Sequence, residues 1–160
     1  MMLTQFVRAL FSSGPILIEF DRRTIHVRDI ASRKSESYPA CVDIGGSEGN
    51  RKIIADGESR GNATATDRVW PFDHPRMVLH DFVVAEKLVQ ESIRRMHTNR
   101  FIRPSPIVIL HSLVDWDGGL TEIEKRALLE LAYSAGAREA YVWQGRRLTD
   151  SAIQSGRYKE

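Results

Sequence analysis

The sequence has little with which to staple, anchor or coordinate itself. Only one of its 160 residues is cysteine, Cys41, so no internal disulfide forms and nothing calls for an oxidising compartment. No apolar run approaches the ~20 residues of a membrane-spanning helix. The first residues also lack the apolar core and small-residue cleavage site of a secretory signal. An excess of one charge is missing too. Lys plus Arg number 23 against 21 for Asp plus Glu, a net charge of +2 with both signs interspersed. There is no aromatic–basic interleaving, so no nucleic-acid surface is expected. The five histidines share no ligand spacing. His74 and His80 flank a proline, while His26, His97 and His111 fall in separate segments, which is not a zinc pattern. These absences point to a cytoplasmic protein without metal.

What is present suits one compact α/β domain. Apolar residues make up 42% of the chain, enough for a core. Leu3, Phe6, Val7, Leu10 and Phe11 recur at helical spacing over 1–13, one apolar stripe closed by Gly14-Pro15. ILIEF (16–20), a polar turn at Asp21-Arg22-Arg23, and TIHVRDI (24–30) read as a β-hairpin. YPACVDI (38–44) reads as a third strand. A glycine-rich loop follows at 45–50, RKIIADG (51–57) reads as a short strand, and 58–76 is irregular, pinned by Val69, Trp70 and Phe72. Asp81 caps a helix over about 82–98 whose inner face is Phe82, Ala85, Leu88, Val89, Ser92 and Met96. IVILHSL (107–113) is a strand buried on both faces. Thr121 opens a second helix, 122–135, stopped by Gly136. REAYVW (138–143) is a strand, Thr149 or Asp150 caps a short last helix, and the polar tail beyond Ser155 is expected to fray.

The expected organisation is an amphipathic helix over 1–13, a single domain over 14–155 with a small inserted lobe at about 45–78, and a polar tail at 156–160. A meander followed by alternating helices and strands implies a mixed sheet with helices packed on it. Cys41 reads as a small core residue, since no base or helix start accompanies it. The pairs Arg94-Arg95 and Arg146-Arg147 read as solvated faces, and Trp70, Trp116 and Trp143 as anchors. Asp43-Ile44-Gly45-Gly46-Ser47 has the letters of a phosphate loop but reads as a strand-to-lobe connection. Thr121-x-x-Glu124 is a capping box.

Two stretches carry a family resemblance. HDFVVAEKLVQESIRRMHTNRFIRPSPIVIL (80–110) resembles the run of the MreB-type bacterial actins in which a helix ends at a Phe-x-x-Pro-Ser-Pro turn before a buried strand. TEIEKRALLELAYSAGAREAYVW (121–143) is similar to that family's Thr-x-Val-Glu-Arg-Arg-Ala helix start with its Gly-Ala-Arg-Glu-Val ending. The opening MLTQFVRALFSSGPILIEF also resembles Gram-negative members. The resemblance implies the first subdomain of the actin-like, ribonuclease H-like ATPase fold, with a reduced small lobe.

The same resemblance exposes departures. The family's first hairpin carries an Asp-x-Gly-Thr turn that cradles nucleotide phosphates, and glycine there lets backbone N–H groups approach an anion. Here the stretch is Glu19-Phe20-Asp21-Arg22-Arg23-Thr24, with a carboxylate in glycine's place. The family's Glu-Glu-Pro-Met-Ala stretch is replaced by Gln144-Gly145-Arg146-Arg147-Leu148, and its second half has no counterpart before Glu160. Glu124 matches the family's water-polarising glutamate, beside its capping role. The expected reading is a non-catalytic MreB-like protein without a cofactor, partnering an MreB-type filament or an associated protein. The alternatives are half of a split ATPase completed by a second chain and a repurposed binding module. The 1–13 stripe resembles a membrane anchor at the inner face of the membrane, though docking onto the protein's own sheet or a partner fits it equally. A free sheet edge offers a surface for a homodimer or a partner.

Overall fold

The computed structural model describes residues 14–45, 52–56, 67–97 and 104–160. The expected helix over 1–13, with Leu3, Phe6, Val7, Leu10 and Phe11, lies outside them, as do the loop at 46–50 and all of 57–66. In chain order the elements are β1 (Ile16–Phe20), β2 (Thr24–Asp29), β3 (Ser35–Pro39), β4 (Val42–Gly45), β5 (Lys52–Asp56), β6 (Asp67–Val69), α1 (Phe82–Met96), β7 (Ile107–Ser112), α2 (Glu122–Ser134), β8 (Glu139–Trp143), α3 (Asp150–Gln154) and a 3₁₀ turn (Arg157–Lys159).

The main sheet has the order β3-β2-β1-β7-β8, and a second sheet the order β5-β4-β6. β1, β2 and β3 form an antiparallel meander. β7 then lies parallel to β1, and β8 parallel to β7. The expected mixed sheet is therefore present, and β3 and β8 are its edges among the described residues. Parallel neighbours need a crossover, and α2 supplies the one between β7 and β8.

Successive residues of a strand point to opposite faces, so each strand feeds two cores. Ile16, Ile18, Phe20, Val108 and Leu110 pack with Ala85, Leu88 and Val89 of α1 and Leu128 and Leu131 of α2. Leu17 and Ile109 face the other way, onto Ile30, Leu148, Ile153 and Tyr158. Asp81 caps α1 by accepting from the Val84 N–H. Val84 and Ile93 join the expected inner face of α1, whereas Phe82, in the first turn, is 37% exposed. Phe72 anchors the return from the lobe by stacking on Phe20 with ring centroids 4.3 Å apart.

Two expectations need correction. The single strand at 38–44 is two strands in two sheets, broken at Ala40 and Cys41, both fully buried. The apolar run is continuous because the chain crosses between sheets there, with protein on both sides. The Ala40 N–H still donates to the Arg23 carbonyl at 2.8 Å, which fixes the end of the first sheet. The second sheet accordingly begins at Val42. Finally, the tail is ordered. Gly156, with φ 82°, turns the chain out of α3, and Tyr158 covers the second core with its ring edge-on to Tyr141 at 4.9 Å.

Candidate functional site

The hairpin turn between β1 and β2 is closed by its own carboxylate. Asp21 Oδ1 accepts from the backbone N–H groups of Arg23 at 2.7 Å and Thr24 at 2.8 Å. The Asp21 N–H in turn donates to the Thr24 carbonyl at 3.0 Å. Aspartate favours such turns because its short acceptor reaches amides two and three residues on. The amides that a glycine turn would leave open to an anion are thus occupied from within. The two arginines splay apart. Arg22 lies over Trp116 at 5.9 Å. Arg23 covers Trp70 at 4.4 Å and pairs with Asp73 at 2.5 Å.

One step back along β1, Glu19 is 7% exposed and directly opposite His111 of β7. His111 is 3% exposed. Its Nδ1 lies 3.2 Å from Glu19 Oε1, and its Nε2 lies 3.1 Å from the Gly145 carbonyl oxygen. Arg147 completes the cluster, with Nε 3.3 Å from Glu19 Oε1 and Nη2 3.2 Å from Oε2. Burial works against charge on Glu19. The His111 hydrogen bond and the Arg147 guanidinium outweigh it and hold the carboxyl below its ordinary range. Both Glu19 oxygens accept hydrogen bonds, and each His111 nitrogen faces an oxygen of the protein, so the cluster is turned in on itself rather than toward a ligand. Among the described residues no group of three or more His, Cys, Asp and Glu side chains is placed to hold a metal ion.

Glu124 is engaged as fully. Oε2 accepts from the Thr121 N–H and hydroxyl, each at 2.9 Å, and Oε1 from the Val78 N–H at 3.2 Å. Thr121 Oγ1 accepts from the Glu124 N–H, which completes the expected capping box. Burial pushes the Glu124 carboxyl upward, but the hydrogen bonds from Thr121 and Val78 bring it below its usual value. Asp43 is tied bidentately to Arg68 at 2.7 and 2.9 Å, and Gly45 ends β4, so the phosphate-loop letters at Asp43 belong to a strand.

A cleft of about 700 Å³ opens beyond the carboxyl ends of β7 and β8, lined by Ser112, Asp115, Trp116, Trp143 and Gln144 among others. Open α/β sheets bind ligands at such strand ends. Gln144 Oε1 accepts from the Leu120 N–H at 2.8 Å, and Trp143 Nε1 donates to the Arg146 carbonyl at 2.8 Å, so the 144–147 loop folds over the rim. Of the residues that sequence reasoning singled out, the structure brings Asp21 to Thr24 into one turn and sets Glu124 in a separate cap. Glu19, His111 and Arg147 were missed. Counting by twos from Leu17 and Ile109 puts Glu19 and His111 on one face of two strands, a signal that becomes usable once the strands are known to pair in parallel.

No protein-family model matches the chain. A 65-residue stretch is 45% identical to the cell shape-determining protein MreB of Escherichia coli K12, covering 41% of this chain and 18% of that protein. The corresponding match to MreB of Haemophilus influenzae is 46% identical over 65 residues, 41% of this chain and 17% of that protein. The chain thus matches less than a fifth of these relatives' length. In fold it is similar to MreB5 of Spiroplasma citri bound to ADP, with a TM-score of 0.58 at 19% identity over 81% of this chain and 37% of that one. It is also similar to a non-polymerising mutant of MamK bound to AMPPNP, with a TM-score of 0.61 at 14% identity over 82% of this chain and 41% of that one. The stretch shared with MreB and the actin-like fold around it are consistent with a partial homologue of the MreB-type bacterial actins.

Proposed function

We propose that the chain is a non-catalytic MreB-like protein that acts as an interaction or regulatory partner in the bacterial cell-shape cytoskeleton. One observation carries this reading: the Asp21 carboxylate occupies the Arg23 and Thr24 amides of the turn that, by resemblance, would cradle nucleotide phosphate. A phosphate arriving there meets a carboxylate and finds those donors already used. Glu124 gives both its oxygens to Thr121 and Val78, which supports a structural rather than a water-polarising role. On this reading no nucleotide cofactor is needed, and the activity is binding. The partner is an MreB-type filament or a protein associated with one, met in the cytoplasm at the inner face of the membrane. No helix among the described residues is long and apolar enough to cross a membrane.

The test is co-sedimentation of the purified chain with ATP-assembled filaments of the full-length MreB from the same cell. Saturable pelleting, or a dose-dependent fall in polymer, is expected. The chain alone should show neither ATP turnover nor ATP-dependent filaments by electron microscopy. Either activity in the isolated chain would overturn the reading. A lack of any effect on filaments at micromolar excess would favour a split or repurposed module.

A further inference from the structure

His111 offers each ring nitrogen an oxygen acceptor on a different element: Glu19 of β1 at Nδ1 and the Gly145 carbonyl of the loop after β8 at Nε2. A neutral imidazole carries one N–H and donates to one of them, while the doubly protonated ring donates to both. The Gly145 bond is the link through which β7 holds the 144–147 loop. We infer that His111 is a proton-operated clamp on this loop at Gly145: the doubly protonated ring adds its hold to those of Arg147 on Glu19 and Gln144 on the Leu120 N–H, and loss of one proton loosens the loop over the cleft beyond β7 and β8. The inference stands apart from the proposed function, since it concerns the loop whatever the cleft receives.

The direction of release follows from the partners. A carboxylate draws an N–H more strongly than a neutral carbonyl does. Arg147 sits on both Glu19 oxygens, which keeps that carboxyl charged. The one remaining proton therefore stays at Nδ1, and the Gly145 oxygen is left facing the Nε2 lone pair, oxygen against nitrogen with no hydrogen between. The charged groups around this arrangement come from every element packed on it. Glu19 stands on β1, and His26 and Arg28 on β2, with His26 directly opposite Glu19. Glu36 stands on β3, Asp150 of α3 pairs with Arg28 at 3.3 Å, Asp115 follows β7, and Arg146 and Arg147 belong to the loop itself. Glu19 is the one carboxylate in hydrogen-bond contact with the ring among the described residues. The released segment also carries Arg146, whose carbonyl holds the Trp143 indole, so the cleft wall loosens with it.

The experiment uses the whole chain and two readouts over a range from about pH 5.5 to about pH 8.5, where histidine titrates. Nitrogen-15 NMR of labelled histidine reports the proton on each His111 nitrogen. Amide hydrogen exchange, corrected for its intrinsic pH dependence, reports protection of residues 144–148 against Val108–Leu110 of β7 as the internal reference. Expected are both nitrogens protonated on the acid side, then deprotonation at Nε2, with loop protection falling about tenfold at the same midpoint while the β7 amides hold steady. His111→Gln should give a loop profile without the step. A loop whose protection stays level through the ring's titration would overturn the clamp, as would a step that persists in His111→Gln or a ring that loses its Nδ1 proton first. Should His111→Gln fail to fold, the coincidence of the two midpoints in the unaltered chain still decides.

Discussion

The two faces of the main sheet are built from the same strands and used differently. On one, Ile16, Ile18, Phe20, Val108 and Leu110 lie under α1 and α2 in a continuous apolar core. On the other, Leu17 and Ile109 support a small cluster with Ile153 and Tyr158, and two residues further along the strands that apolar layer gives way to Glu19 and His111. The first face gains its stability chiefly from apolar packing, and its one buried polar pair, the Tyr38 hydroxyl with Ser92, is satisfied within the core. The second ends in a charged cluster whose members depend on one another, since a buried ion without its partner is costly. The helix-covered face thus secures the fold, while the second face holds the groups that respond to their surroundings.

The largest blow to this contrast should come from truncating matched leucine and isoleucine residues on the two faces. Leu110→Ala opens a cavity under two helices and should cost about 2–5 kcal/mol in urea-unfolding stability. Ile153→Ala should cost about 2 kcal/mol, at the low end of that range, and hydrogen exchange should show α3 and the 3₁₀ turn opening without the sheet. Equal, fully global losses from both would erase the distinction between main core and satellite.

Glu19→Gln should have a smaller effect, about 1.5 kcal/mol at neutral pH, because Arg147 and His111 lose a charged partner. The pH dependence has a definite sign. Glu19 is held below its ordinary value of 4.5, so its stabilisation is complete above that value and is lost as pH falls through the lowered folded one. Glu91 of α1, hydrogen-bonded by Arg94 and Arg95, is shifted the same way, as are Asp43 and Glu124, and all three contribute alongside it. An acid-unfolding series should therefore show a shallower decline in the variant than in the unaltered chain. Parallel curves would mean that the cluster contributes nothing to acid stability.

The smallest effect sharpens the reading of Glu124. Thr121→Ala removes the side-chain half of the capping box and should cost about 1 kcal/mol of stability by thermal unfolding. A neutral result would leave Glu124 free of its structural duty and reopen its other role.

Much of this fold was legible because local signals agreed. Asp81 and Thr121 announced α1 and α2, the unbroken IVIL run announced a strand covered on both sides, and the alternation of Ile25 and Val27 announced β2. The break at Ala40–Cys41 was not legible. A run buried by two sheets has the same letters as one long strand, and the dividing feature is a main-chain hydrogen bond. Tyr158 was hidden in a tail whose other residues are polar, where one aromatic carries no periodicity. The turn at Asp21 was legible as the polar break between two strands. The inward aim of its carboxylate, however, depends on backbone geometry that no letter encodes. Glu19, His111 and Arg147 come from three distant segments, so their meeting depends on strand register.

Cys41 stands where the chain leaves the first sheet for the second, and it is completely buried. As the chain's sole thiol, it is a reporter already installed at the seam. A thiol reagent can reach it only when lobe and sheet part. Its modification rate under native conditions therefore times that parting directly, with no label to engineer and no second cysteine to mask.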